Sequence, residues 1–338
     1  MDLNIFWFLL LGVLLAGYAM LDGFDLGAGI LHFAGRSDHE RRIILNAVGP
    51  LWDGNEVWLV TFGGAMFAAF PEAYATSFSG FYAAFMAVLF ALIFRAVSIE
   101  FRGKVHSARW RFVWDVGFSV SGLVATFVFG VAVGAAISGV PLNQRGIFIG
   151  GVKDQLHFYS VLVGLMAVTL FAVHGAAYLI LKTDGELRER LYKCGWTAWG
   201  LFLICYLLTT IATLMTLPHA TANFRDHPWA WAVVLLSILA IANVPRSLFN
   251  RAPAQAFAST AATIASLVVL FGIALFPNLI TSLPNPENSL TIYSAASSQK
   301  TLGIMAIVAG IGMPFVIGYT FLVYWTFRGK VEIDHHSY

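Results

Sequence analysis

The stretch LNAVGPLWDGNEVWLVTFGGAMFAAFP, Leu45 to Pro71, decides how this chain is read. It opens as a polar loop and becomes an apolar run long enough to enter lipid. Asp53, Asn55 and Glu56 sit where that run starts. An ionisable group inside a bilayer costs about 2.5–3.5 kcal/mol on insertion scales, so a chain that keeps one has a use for it. Just upstream, LDGFDLGAGI (Leu21 to Ile30) places Asp22 and Asp25 inside the preceding apolar segment.

Composition points the same way. Of 338 residues, 59% are hydrophobic and 11% charged, whereas soluble domains carry about 25% charged residues. A chain this apolar has lipid as its solvent. The net charge of +2, with no basic run, gives no surface for nucleic acid. Cys194 and Cys205 make neither a disulfide framework nor a metal site, and read as packing residues. There is no phosphate loop, HExxH, nucleophile elbow or dinucleotide fingerprint. The N-terminus lacks a basic region and a cleavage site. Its apolar run continues past Ile30, so it reads as a retained first helix.

Apolar runs recur near residues 5–33, 51–70, 74–98, 113–137, 157–181, 196–217, 228–245, 257–277 and 302–326. They predict an all-α polytopic membrane protein of nine transmembrane helices, one integral domain over 1–338. Polar gaps separate most of them. The short gap at Phe70 to Tyr74 predicts a tight antiparallel hairpin of spans two and three. Sixteen of the 20 lysines and arginines fall in alternate gaps. These are Arg36, Arg41 and Arg42; Arg95, Arg102, Lys104, Arg109 and Arg111; Lys182, Arg188, Arg190 and Lys193; Arg246 and Arg251; Arg328 and Lys330. Arg145, Lys153, Arg225 and Lys300 fall on the other side. The bias puts the N-terminus outside and the C-terminus in the cytoplasm.

With that orientation, Asp22, Asp25, Asp53, Glu56, Arg95 and Asp115 all come to a similar depth near the cytoplasmic side. Asp22 and Asp25 are three apart and share a helix face, as do Asp53 and Glu56. Gly23 and Gly27, spaced GxxxG, allow a neighbouring helix to come close. A mixture of paired and unpaired carboxylates near an arginine is able to relay protons. The plainer reading makes Asp53, Glu56 and Asp115 first-turn residues that complement helix N-termini, with Arg95 snorkelling to the interface. Of the nine histidines, only His32 and His174 fall within spans, with His157 at a span start. A b-type haem held by this chain alone wants histidines facing each other. His174, beside Gly175, Ala176 and Ala177, reads instead as an interhelical hydrogen-bonding group. His335 and His336 lie in a polar, solvated tail. Pro314 is the one proline well inside a predicted span.

Several segments carry a resemblance. GYAMLDGFDLGAGIL, GPLWDGNEVWLV, GGAMFAAFPEAYA, the FR of IFRAVSIEFR, RWRFVWD and LTIYSAASSQKTL resemble subunit II of cytochrome bd-type quinol oxidases, including the cyanide-insensitive branch. The match runs from the first span to the C-terminal tail. It implies a haem-free subunit of two four-helix bundles plus a peripheral helix, paired with a subunit I that holds haems b and d and oxidises quinol. The complex reduces dioxygen to water in the bacterial cytoplasmic membrane. Some members hold a structural quinone in subunit II, and a small single-helix accessory subunit accompanies some complexes. The aspartate of WDGN, here Asp53 beside Trp52, matches a cytoplasmic proton-uptake route, with Asp25 and Glu56 as its neighbours here. Asp25, Arg95 and Asp115 match positions linked with assembly or the partner's haem environment, and Trp52 is grouped with Arg95 and Asp115 in that support. No metal site is expected. Competing readings are a purely structural partner subunit and a proton-coupled transporter, the latter favoured by paired broken helices. The short gap His219 to Asp226 carries no transferable loop function.

Overall fold

A computed structural model describes residues 2–333. His335 and His336 lie outside the described residues. The described residues form thirteen α-helices: α1 Leu3–Ile30, α2 Asp38–Val48, α3 Trp52–Ala69, α4 Pro71–Gly80, α5 Tyr82–Phe101, α6 Ala108–Ser138, α7 Val152–Gln155, α8 Phe158–Lys182, α9 Gly185–Thr216, α10 Pro218–Asp226, α11 Ala230–Phe249, α12 Pro253–Leu275 and α13 Gln299–Thr326. A two-stranded antiparallel ribbon, β1 Asn278–Ile280 and β2 Leu290–Thr291, lies before α13.

Local chemistry sets the ends of these helices. The Asp2 carboxylate caps α1 by accepting from the Asn4 and Ile5 N–H groups. Ser37 and Glu40 form a reciprocal capping box on α2. Pro71 ends α3, because the residue before a proline leaves the helical region, and its missing N–H suits the first position of α4.

Among the described residues, eight helices are long and apolar enough to cross a membrane: α1, α5, α6, α8, α9, α11, α12 and α13. The predicted second span corresponds to α3, which has 18 residues and is not among the eight. The predicted hairpin of spans two and three does not form as expected. Ten-residue α4 stands between them; α3 packs chiefly on α1, and α5 on α6. The gap 182–193 is mostly helix, because α9 starts at Gly185 and its 32 residues outrun the apolar core. The gap 220–228 is largely helix α10. Pro245 also lies inside a helix, α11, which continues to Phe249.

Two close crossings organise the packing. At Gly27, α1 meets α8 so tightly that a Cβ would overlap the Phe171 carbonyl and come 2.9 Å from the Gly175 backbone. At Gly122, α6 meets α1, and a Cβ would stand 2.7 Å from the Leu26 carbonyl. Around these crossings the core carries Phe24 stacked on Tyr178, with ring centroids 4.0 Å apart. By contrast α13 has few fully buried residues and touches the rest mainly through α1 and α3.

Candidate functional site

The buried aspartates and arginines form two separate clusters rather than one layer. In the first, Arg95 of α5 is fully buried. Its Nη1 donates to Asp22 Oδ1 and its Nη2 to Glu56 Oε1, each at 2.6 Å. One planar guanidinium thus ties α5 to both α1 and α3. Asp25, one turn beyond Asp22, is also buried, but its partner is neutral. Asn55 Nδ2 donates to Asp25 Oδ2 at 2.7 Å and to the Leu21 carbonyl at 3.1 Å. The Asn55 oxygen accepts from the Tyr324 hydroxyl at 3.0 Å. Asp22 Oδ2, Asp25 Oδ1, Arg95 Nε, the Tyr18 hydroxyl and Trp58 Nε1 are buried without a hydrogen-bond partner. Asp53 is exposed, one turn before Glu56, and Trp52 is half-buried against the core.

The second cluster gathers on Asp115 at the start of α6. His32 Nε2 lies 2.6 Å from Asp115 Oδ1 and therefore donates to it; Arg102 Nε donates to the same oxygen at 2.6 Å. Arg41 Nη1 donates to Oδ2 at 2.8 Å. Arg102 also reaches Asp38 at 2.8 Å. Arg102 opens the turn just after α5, seven residues and about 10 Å beyond Arg95. Asp115 thus has three donors of its own and shares no hydrogen bond with Asp22, Asp25 or Arg95. His32 lies in the turn after α1, where burial holds its imidazole below the ordinary value, against the pull of Asp115.

His174 is the interhelical group that its small neighbours predict. It pairs with Thr260 Oγ1 at 2.7 Å and the Met20 carbonyl at 2.8 Å, and stacks on Phe257. Both its ring nitrogens are thus engaged. His32 is committed to Asp115 and packs edge-on against Phe118. His174 therefore has no ring nitrogen free for haem iron, whereas His32 keeps a buried Nδ1 without a hydrogen-bond partner. Among the described residues no group of three or more potential ligands is placed to hold a metal ion. Cys194 and Cys205 are free.

Sequence reading missed Tyr18, Trp58, Tyr324, and the roles of Arg41 and Arg102. Only Arg102 carried a local signal, as a basic residue one turn beyond an apolar run. Tyr18, Trp58 and Tyr324 read as ordinary aromatic residues, and the partners of Arg41 and Tyr324 lie far away in the chain.

The fold and its buried ion clusters define a polytopic α-helical membrane protein with carboxylates inside its helix packing. The model of the family described as cytochrome bd terminal oxidase subunit II matches residues 3–327. The chain belongs to that family, and is one subunit of a terminal quinol oxidase, an oxidoreductase complex. It is 37% identical to the cytochrome bd-I ubiquinol oxidase subunit 2 of Escherichia coli K12, over 97% of this chain and 95% of that one. It is 35% identical to the cytochrome bd ubiquinol oxidase subunit 2 of Bacillus subtilis, over 98% and 97%. Its fold is similar to a chain in the structure of bd oxidase from Geobacillus thermodenitrificans, with TM-score 0.79 and 20% identity, over 97% of this chain and 99% of that one.

Proposed function

We propose that this chain is the haem-free partner of subunit I in the bacterial cytoplasmic membrane, and that Asp53, Glu56 and Asp25 form a proton-uptake route from the cytoplasmic side. The observation that carries this is the environment of Asp25. Asp22, Glu56 and Asp115 each accept a hydrogen bond from an arginine, whereas Asp25 has a neutral amide on one oxygen and nothing on the other. A carboxyl group without a bonded cation is the one free to take up and release a proton. Exposure falls along the proposed route. Asp53 is exposed, Glu56 is 23% exposed and Asp25 is buried. A charged Asp53 on an outer helix face suits a protein partner or water better than lipid.

The orientation rests on two observations. Contacts among the basic gaps gather them at one end: Arg190 with Glu40, Lys182 with the Phe327 carbonyl, Arg251 with Glu189, Arg102 with Asp38, Lys330 with Asp184. The other gaps meet at the opposite end, through Thr76 with Gly146, Gln155 with Gly80 and Asn288 with Leu142. This supports nine crossings with α3 as the second. The N-terminus is then outside and the C-terminus cytoplasmic. Helices α8, α9, α11 and α12 pack in a ring, and α1, α3, α5 and α6 pack in a row joined to it through α1 and α6, which is compatible with two four-helix groups and a peripheral α13.

Arg95 and Asp115, buried inside this chain, serve the partner's haem environment by holding the fold. Trp52 stands nearer the surface. The test is Asp25→Asn and Asp53→Asn in an assembled complex of normal haem content. Oxygen consumption is expected to drop about tenfold or more, a modest share of what proton-transfer groups contribute. Full activity rejects the route.

A second reading, a purely structural subunit, draws on the arginine bonds of Asp22, Glu56 and Asp115. It expects the same substitutions to lower the yield of complex while turnover per haem stays unchanged. Pro245 and Pro314 sit in helices that run on unbroken, which lends no support to a transporter.

A further inference from the structure

Asn55 is held from three sides, and that fixes more than its own position. Its Nδ2 has two acceptors, Asp25 Oδ2 at 2.7 Å and the Leu21 carbonyl at 3.1 Å; its Oδ1 has one donor, the Tyr324 hydroxyl, at 3.0 Å. The two ends of an amide look alike in outline, so its orientation follows from its neighbours. The Leu21 carbonyl accepts and never donates. Turning the amide over would set oxygen against oxygen there, whatever the charge on Asp25. Asp25 Oδ2 therefore always faces a donor, and an incoming proton goes to Oδ1, the oxygen without a partner.

We propose that Tyr324 is a positioning residue for Asp25: acting through Asn55, it holds the amide as a donor and favours the carboxylate over the acid. The inference rests on the proton route proposed for Asp25. Tyr324 comes from α13, which has few other inward contacts, and its ring stands edge-on to Phe24, the neighbour of Asp25 in sequence, at 6.3 Å. A hydroxyl that donates to the amide oxygen polarises the amide and strengthens its N–H as a donor. The titratable groups acting on Asp25 are Asp22 on α1, Glu56 on α3, Arg95 on α5, Tyr178 on α8 and Tyr324 itself on α13. Arg95 bonds Asp22 and Glu56, and the Tyr178 hydroxyl donates to the Ala47 carbonyl. Tyr324 is thus the group linked to Asp25 by a continuous chain of hydrogen bonds.

The experiment uses the assembled oxidase carrying this chain, either unchanged or as Asp25→Asn, Tyr324→Phe, Asn55→Ala or Tyr319→Phe. The Asp25 acid is read from the infrared carboxyl band that Asp25→Asn removes, followed as a function of pH beside oxygen consumption. Tyr324→Phe keeps the ring and removes the hydroxyl. It is expected to move the midpoint of that band upward by about half a pH unit, and the acid limb of turnover with it. Tyr319→Phe, an exposed position on the same helix, is expected to move neither. Asn55→Ala cuts the same link, is expected to shift the midpoint in the same direction, and leaves Tyr324→Phe nothing further to add. An unmoved midpoint in Tyr324→Phe overturns the inference. So does an added shift when Tyr324→Phe is combined with Asn55→Ala, or a carboxyl that never protonates where the complex is stable. If Asp25→Asn turns over at the parent rate, the proton route falls, while the band still decides the role of Tyr324.

Discussion

Arg95 shows how a single side chain can commit three helices. Its two terminal nitrogens serve different carboxylates, so removing it strands both acids inside the packing. Breaking a buried ion pair from one side costs about 3–5 kcal/mol. Arg95→Met is therefore expected to abolish or sharply lower the yield of haem-bearing complex, measured spectroscopically in membranes. Arg95→Lys rescues only part of it, because one ammonium cannot reproduce the fork. His32 behaves differently. Its imidazole is held below its ordinary value of 6.5 by burial, outweighing Asp115. Below 6.5 the unfolded chain binds the proton that the folded chain refuses, so stability is full above that pH and declines as pH falls. Thermal melts of the complex should show that acid slope below about pH 6.5, and His32→Gln should flatten it. Asp22, Asp25, Glu56 and Arg95 were legible in the sequence because charge in an apolar run is costly enough to stand out. The partners of Asp115 were not, since Arg41 and His32 lie 74 and 83 residues away. Nothing local marks Tyr324, 269 residues from Asn55.

Among the elements, α1 carries the most consequence, because it is pressed against both α6 and α8. Gly27 and Gly175 let two backbones meet where any side chain would intrude, so Gly27→Ala must push the helices apart. Overpacking of this kind costs about 1–3 kcal/mol, occasionally more. Gly27→Ala is expected to lower the melting temperature and yield of the complex. Gly12→Ala on the same helix, where a Cβ meets nothing within 4 Å, is expected to be neutral. The GxxxG spacing made the first contact legible, since close helix approach selects for small residues. The division of residues 51–101 was less so. Phe70–Pro71 reads as a short turn in a window of hydropathy, but the proline opens a helix of its own, and α4 displaces the expected hairpin. The chain around α9 misleads for the opposite reason: its charged first turns look like loop, yet they are a helix that has left the apolar core.

For the whole molecule, the alternation of basic gaps predicts sidedness that labelling can check. With Cys194 and Cys205 replaced by serine, Gln144→Cys is expected to react with a membrane-impermeant thiol reagent added outside intact cells. His106→Cys is expected to react only after the membrane is opened. Both positions are exposed. The reverse pattern overturns the assigned orientation. Arg95 has one more consequence, in the order of synthesis. A guanidinium cannot shed its charge on entering lipid, whereas a carboxyl group can enter neutral. Asp22 and Glu56 are both made before Arg95. Likewise His32, Arg41 and Arg102 are made before Asp115. At each cluster the last charged member is made only after its counter-charges exist, so Arg95 and Asp115 each emerge from the translocon to partners already waiting.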